Sequence, residues 1–414
     1  MVSYRDILFA YVICRSNKRG AASTVEFELS YISLLLQLWK DIDNRVYEPS
    51  RSIAFLVTKP RLREIFAANF IDRIAHHYID IDLRPKIEKI LIETTCNNRV
   101  GKGTGAAVKY LDTAIREVSE NYTRDCWICK MDLQGFFMSI PKKLILRMIT
   151  DFTRENCRGE NLDELIYLLE KALLNHPEKN CFLKTPWFEW NKLAKNKSLF
   201  YVGEDRGLTL GDLISQLMAN FLLNVLDQYV TKVLGFTHYV RYVDDFVIVS
   251  ESKERIISAI PKIRAKLNEI GATLHPRKFY LQHYQKGVEF VGAVIKPHRI
   301  YVHNRTVYNA QMAVDRFNKM ETTIDNLEKL RASINSYLGF MKNFATFNIR
   351  KRLCVRLDEK WMKYITIPDD YSKIVIKKEF TRHEIIKNKL LKQKLCYKNK
   401  LTKSISKSTN LSIC

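Results

Sequence analysis

The sequence predicts an α+β fold: an antiparallel sheet with helices packed on one face, followed by a separate helical region. Three observations predict it. Two apolar runs, 237–242 and 246–250, flank Val243-Asp244-Asp245 in the pattern of a β-hairpin with the acids at its tip. Helical spacing brackets that hairpin, with Ile214, Leu217, Met218, Phe221 and Leu222 before it and Ile256, Ile260, Ile263, Leu267 and Ile270 after it. Beyond Asn304 the pattern is wholly helical, through Val314, Phe317, Met320, Ile324 and Leu327 and then Ile334, Tyr337, Leu338 and Met341.

The remaining elements follow in order. The first 50 residues read as helical, with Leu34, Leu35, Leu38 and Trp39 as an apolar stripe, and end at Tyr47-Glu-Pro-Ser50. Two strands are expected at Ile53 to Lys59 and Arg63 to Ala68, with a turn at Pro60. Ile71, Ile74, Ala75, Tyr78 and Ile79 then mark a helix with one buried face. Gly101-Lys-Gly-Thr-Gly105 lacks the order of a phosphate-binding loop, so a flexible loop near nucleic acid is expected. A strand from Trp127 to Asp132 precedes a helix and an aromatic stretch near Phe182 to Tyr201. The helix carrying Ile256 should stop at Gly271, because glycine readily takes the left-handed conformation that ends helices. Ala272 to Leu274 and Val288 to Ile295 are expected to complete the sheet.

A chain of 414 residues with 46% hydrophobic content can bury sizeable cores, in roughly two to three domains. Its 68 Lys and Arg against 45 Asp and Glu suit a polyanionic partner, nucleic acid or an anionic membrane. The membrane is the weaker choice. The N-terminal apolar run Ile7 to Cys14 is bracketed by Arg5, Asp6 and Arg15 and falls far short of the ~20 residues of a span. The close pair Cys126 and Cys129 points to opposite faces of a strand and has no second pair to complete a metal site, so buried, reduced thiols are expected, in keeping with a reducing cytoplasm. From Ser372 to Cys414 twelve Lys or Arg face only Glu379 and Glu384, the composition of a solvated basic tail.

Chemistry concentrates at three acids. Asp244 and Asp245 lie between apolar strands in Val240-Arg-Tyr-Val-Asp-Asp-Phe-Val-Ile-Val249, and Asp132 ends another buried strand. Burying unpaired carboxylates costs several kcal/mol each, and a divalent cation bridging the strands is the natural compensation. Three such acids can hold two Mg²⁺ ions, the arrangement that serves phosphoryl and nucleotidyl transfer.

At these residues the sequence resembles the reverse transcriptases. Tyr242-Val-Asp-Asp245 matches their signature hairpin, and Met131-Asp-Leu-Gln-Gly-Phe-Phe137 their first catalytic strand. The resemblance implies a right-hand polymerase: residues 1–125 as fingers with N-terminal helices, 126–150 as the first part of an antiparallel-sheet palm, 151–205 as an insertion, 206–303 as the second part of the palm, 304–371 as a helical thumb and 372–414 as the basic tail. It implies Asp132, Asp244 and Asp245, with the Leu133 carbonyl, as ligands of two Mg²⁺, or of Mn²⁺, and Lys278 near the pyrophosphate as a general acid. Lys59 and Arg63 would grip the triphosphate, and Phe137 would exclude a ribose 2′ hydroxyl. Leu133, Leu210, Gly211, Ser215 and Gln216 would line the dNTP site. Lys59 and Arg63 also read as ordinary surface charges and Phe137 as core. Gly287-Val-Glu-Phe-Val-Gly292 resembles the strand turn that grips the primer.

Leu210-Gly-Asp-Leu-Ile-Ser-Gln216 is most similar to the reverse transcriptases of diversity-generating retroelements, with Asp212 where Asn is usual, at a candidate helix N-cap. That subfamily implies cDNA synthesis with errors at template adenines, an RNA template, a DNA or RNA primer, dNTPs and a small basic accessory protein. The alternatives are a group II intron, retron or phage-defence reverse transcriptase, or a catalytically silent RNA-binding scaffold.

Overall fold

The computed structural model describes residues 2–16, 22–58 and 61–381. The chain divides into two compact units, Met1–Lys286 and Gly287–Cys414. In the first, α1 (Tyr4–Arg15), α2 (Ala22–Glu28) and α3 (Tyr31–Asp43) precede a hairpin of β1 (Ser52–Val57) and β2 (Arg63–Ala67). The long α4 (Phe70–Ile90) and α5 (Thr104–Val118) lead to β3 (Trp127–Leu133), then α6 (Phe136–Ser139), α7 (Lys142–Asn156), α8 (Leu162–Leu173) and β4 (Cys181–Leu183). After α9 (Leu213–Gln228) come the hairpin β5 (Tyr239–Tyr242) and β6 (Asp245–Ser250), α10 (Lys253–Glu269) and β7 (Leu274–His283).

The central sheet has the order β5-β6-β3-β7 and is antiparallel throughout. Alternation of side chains decides what each face meets. Cys129, Met131, Leu133, Phe246 and Ile248 join the buried side chains of α4, α7, α9 and α10 in one core, which also takes in α1, α3 and α8. Asp132 and Asp245, directly opposite each other across β3 and β6, belong to the other set of positions. Gly271 ends α10 as expected: its φ is +74°, and a Cβ there would come within 2.5 Å of the Pro141 ring. Cys126 and Cys129 are buried, unbridged thiols, both pushed up to about 12 by burial. No described helix is long and apolar enough to cross a membrane.

Two expectations are corrected. Val288 to Ile295 does not extend the central sheet: β8 (Val288–Phe290), β9 (Ala293–Lys296) and β10 (Arg299–Val302) form their own antiparallel sheet in the second unit. An apolar run marks a strand, but not which strand it pairs with. The central sheet is completed instead by β7, which is longer than the expected 272–274. In the second unit α11 (Asn304–Asn318), α12 (Ile324–Met341), α13 (Phe347–Val355) and α14 (Glu359–Met362) supply a separate core, joined by β11 (Ile365–Thr366) and β12 (Val375–Ile376). The basic C-terminal segment therefore does not begin as a solvated tail. Ile374 and Ile376 are buried, and the Asn335 side chain bonds both the N–H (2.6 Å) and the carbonyl (2.9 Å) of Ile374. Residues 382–414 of that segment, and Lys59, lie outside the described residues.

The β5–β6 hairpin is tied to α9 by an ion pair at zero exposure, Arg241 to Asp227. Arg241 donates from Nε and Nη2 to the two carboxylate oxygens, each at 2.7 Å. Asp227 also accepts from Tyr239 Oη (2.7 Å) and Thr95 Oγ1 (2.9 Å). Such bidentate, fully hydrogen-bonded pairing is what makes buried charge tolerable. Asp227→Ala is expected to destabilise the protein by about 3–5 kcal/mol, because it strands a buried guanidinium, whereas Asp227→Leu with Arg241→Met should recover most of that loss. Urea unfolding of the two variants against the wild type checks both expectations.

Candidate active site

Two ladders meet at Asp132. On one side Asp132 faces Asp245 across the β3–β6 pair, and the Leu133 N–H donates to the Asp244 carbonyl at 3.3 Å. On the other side the β3–β7 register breaks: Met131 pairs with Phe279 and Leu133 with Leu274, so one residue on β3 opposes four on β7. Those four are His275-Pro-Arg-Lys278, and Pro276 has no N–H to give a ladder. The bulge delivers Lys278, whose Nζ donates to both Asp132 oxygens at 2.8 Å.

Asp244 stands in the turn itself, and the structure makes that turn two residues long, Val243 and Asp244. Val243 has φ +57°, a left-handed conformation that a β-branched residue adopts only under constraint. Two buried side chains supply the constraint. Asn97 accepts from the Val243 N–H at 3.0 Å, and Arg241 Nη1 donates to the Val243 carbonyl at 3.0 Å. Asn220 links the two, accepting from Arg241 Nη1 (3.2 Å) and donating to the Asn97 carbonyl (2.9 Å). Sequence reasoning had assigned no role to Asn97, Asn220, Asp227 or Arg241. The available signal was an arginine inside an apolar strand run, which requires a buried acid elsewhere.

The electrostatics are those of crowded acids. Burial pushes the Asp244 carboxyl above the usual carboxylate range, Asp132 adds to this, and Lys278 and Arg63 oppose it. Asp245 is pushed up to about 6, first by burial and then by Asp132 and Asp244, against Lys130 at 3.9 Å. Among the described residues no three acids, histidines or cysteines are gathered closely enough to enclose a metal ion. The donors are nonetheless hard oxygens held under mutual repulsion, and they fit a hard divalent cation as added counter-charge.

The other expected residues fall around these acids. Arg63 is exposed on β2 with its charge felt at Asp244. Phe136 is buried in the core and Phe137 half-buried beside it, ring centroids 5.6 Å apart. Leu210 packs on a cluster that contains Phe66, Trp190 and Leu199. Gly211 has φ +93°, which favours glycine, and lies beside Ile65 of β2. Ser215 is buried, with its hydroxyl 3.0 Å from Thr209 Oγ1, and Gln216 is half-buried. Asp212 occupies the N-cap position of α9, yet its side chain does not cap the helix; it pairs with His76 of α4 at 2.8 Å. Burial lowers the His76 pKa, but Asp212, aided by Asp72, outweighs it, so the pKa is raised. The Asp212 pKa is lowered by the same pairing in spite of burial.

Comparison with known proteins identifies a family. The family described as "Reverse transcriptase (RNA-dependent DNA polymerase)" matches residues 59–295, more than half of the chain. No curated protein sequence matches. Among solved structures, the chain is similar to a telomerase from Candida albicans in complex with a TWJ fragment of telomeric RNA, at 11% identity and TM-score 0.47 over 82% of this chain and 60% of that one. An apo telomerase from Candida tropicalis gives 12% identity and TM-score 0.45 over 74% and 56%. A form of it truncated from the C-terminal domain gives 13% and 0.44 over 61% and 55%. The chain thus spans little more than half the length of these telomerases.

The His76–Asp212 pair makes stability depend on pH with a definite sign. A raised histidine pKa contributes stability that is complete below the ordinary imidazole pKa of about 6.5 and is lost as pH rises through the raised value. The lowered Asp212 pKa contributes above the ordinary carboxylate range and is lost only on strong acidification. His76→Asn is therefore expected to flatten the decline of thermal stability from neutral to mildly alkaline pH. Melting curves across that range would show parallel declines in the two proteins if the pair contributed nothing.

Proposed function

Because the chain belongs to the reverse transcriptase family, we propose that it is an RNA-directed DNA polymerase that extends a primer on an RNA template with dNTPs. The observation that carries this reading is the pairing of Asp132 opposite Asp245, with Asp244 in the adjoining turn, inside the segment that matches the family. Bound Mg²⁺, or Mn²⁺, would supply the positive charge that activates a 3′ hydroxyl and stabilises a leaving pyrophosphate. The chain's own residues do the remainder. Asp132 and Asp244 would be the principal ligands of that ion, with Asp245 and the Leu133 carbonyl as further oxygen donors. Lys278, on its bulge, would give a proton to the departing pyrophosphate. Arg63 binds the triphosphate as a planar cation, joined by Lys59. Phe137 selects against a ribose 2′ hydroxyl, and Leu210, Gly211 and Gln216 face the nascent base pair.

Within the family we assign the chain to the diversity-generating retroelements, on the strength of Leu210-Gly-Asp-Leu-Ile-Ser-Gln216. This finer reading brings with it errors at template adenines and a small basic accessory protein. Its physical basis is Leu210. An amide at that position can donate and accept hydrogen bonds, and an aliphatic side chain can do neither.

Two outcomes are expected. Asp244→Asn should lower dNTP incorporation by on the order of 10²-fold or more while RNA affinity and folding are retained, because phosphate contacts lie elsewhere. Primer extension beside an RNA-binding titration checks it, and near wild-type extension by the variant would remove the assignment. Leu210→Gln should lower misincorporation opposite adenine more than opposite other bases, by about 1 kcal/mol of discrimination or somewhat more, a factor of roughly five to ten. Sequencing cDNA made by both proteins on one RNA template reads this directly; equal adenine errors with activity retained would make Leu210 a packing residue.

A further inference from the structure

Asp132 is the acid on which the two ladders of the central sheet converge, and its carboxylate is already engaged. Lys278 Nζ donates to both Asp132 oxygens at 2.8 Å, so the ammonium sits where a cation shared by those oxygens would sit. The two partners are unequally fixed. Asp132 lies on the regular β3–β6 ladder with its side chain 11% exposed, whereas Lys278 comes from the β7 bulge with its side chain 46% exposed. Beside them, between α10 and β7, is a cleft of about 270 Å³ lined by Arg264, His275 and Pro276 as well as by Asp132 and Lys278. Asp132 is the only acid among its described lining residues. The other nearby ammonium is placed differently: Lys130 Nζ stands 3.9 Å from Asp245 Oδ1, too far for a hydrogen bond to it.

We propose that Lys278 is a built-in competitor for the divalent cation: its ammonium holds Asp132 until the metal displaces it, and that displacement frees Lys278 to meet a phosphate. The proposal rests on the polymerase reading for the identity of the cation and of the phosphate. The competition comes from the geometry. Magnesium binds a carboxylate oxygen at ~2.1 Å, so an ion on either Asp132 oxygen would stand within about 5 Å of an ammonium that stayed in place. Cations that close repel strongly in a partly buried site. The metal brings twice the charge of the ammonium to Asp132 and draws on Asp244 as well, so the exchange runs in its favour once the ion is plentiful. The side chain that yields is the exposed one on the irregular strand. The ammonium keeps its proton as it leaves, and the cleft offers it no second acid and the repulsion of Arg264, which leaves a phosphate as its partner. Metal arrival and release of the proton donor thereby become one event. Without metal the chain keeps Asp132 neutralised, and it binds metal more weakly as a result.

The test reads metal binding by the full chain with no nucleic acid or nucleotide present. Free Mn²⁺ is counted by electron paramagnetic resonance as it is titrated into the protein, and the site in question is the one that Asp244→Asn abolishes. Lys278→Met, which keeps most of the side chain's length and removes its charge, should bind Mn²⁺ at that site on the order of tenfold more tightly than the wild type. Lys278→Arg should stay near the wild-type affinity. Lys130→Met removes an equal charge beside Asp245 and should tighten binding by less than Lys278→Met does. A second measurement follows the displacement itself. Acylation of the Lys278 amine by an N-hydroxysuccinimide ester, read by mass spectrometry of its peptide, should speed up several-fold when Mg²⁺ is added at constant ionic strength, because an amine held in an ion pair reacts slowly. In Asp132→Asn the amine should react fast with or without Mg²⁺. Melting temperatures control for folding. Unchanged Mn²⁺ affinity in Lys278→Met, equal tightening by Lys130→Met, or Lys278 acylation indifferent to Mg²⁺ would each overturn the proposal. Absence of any Mn²⁺ site sensitive to Asp244→Asn would remove the polymerase reading and the proposal together, whereas a sensitive site indifferent to Lys278 removes the proposal alone.

Discussion

The buried pair between Arg241 and Asp227 is the constraint on which the candidate site depends. A guanidinium inside a protein is tolerable only when its hydrogen-bonding positions are met, and here a carboxylate, an amide and a backbone carbonyl meet them. The carbonyl belongs to Val243. The charge that the fold must neutralise is thereby used to hold a turn that the fold would otherwise relax. A left-handed non-glycine residue costs on the order of 1–3 kcal/mol, and the Asn97 and Arg241 hydrogen bonds to Val243 offset a cost of that size. What results is a fixed direction for the Asp244 side chain.

Around this turn the acids are arranged against their own preference. Asp132 makes Asp244 harder to ionise, Asp132 and Asp244 together do the same to Asp245, and the cations near them are few: Lys278 on Asp132, Lys130 by Asp245, Arg63 further off. Lys278 reaches its place by a break in the β3–β7 ladder, while the β3–β6 ladder beside it stays regular. The division suits the chemistry proposed. Asp132 and Asp245 face each other across the regular ladder, and Lys278 comes from the irregular one.

Much of the fold was legible because local chemistry dictated it. Apolar runs on both sides of Val243-Asp244-Asp245 marked the hairpin, and Gly271 marked a helix end where only a residue without a Cβ fits against Pro141. The family and the three acids were legible for the same reason, since both motifs are short and contiguous. What escaped was long-range. The strands at 288–302 have the alternation of any strand, and nothing within them states which sheet they join. Asp212 reads as an N-cap from its neighbours alone; its partner His76 comes from a helix far back in the chain, which nothing near Asp212 announces. The roles of Arg241 and Asn97 escaped for a related reason, although an arginine inside an apolar run was itself a sign of a buried acid elsewhere. Sequence treats a charged or polar residue as a surface residue unless its distant partner is already known.

The order of the central sheet bears on how the protein comes to be folded. Its second and third strands in sequence, β5 and β6, can form a hairpin as soon as they are made, but β3 precedes them by roughly a hundred residues and is flanked on both sides by strands still to come. During synthesis β3, with its run of apolar side chains, leaves the ribosome with no partner to pair with. Helices α1, α3 and α4, which belong to the same core, are already complete by then and can assemble among themselves. Because Asp244 and Asp245 follow Asp132 by more than a hundred residues, the acids of the site can meet only after most of this unit has been synthesised. An unfinished chain carries an unpaired strand edge but no assembled constellation of acids, so its hazard in the cell is aggregation rather than stray chemistry.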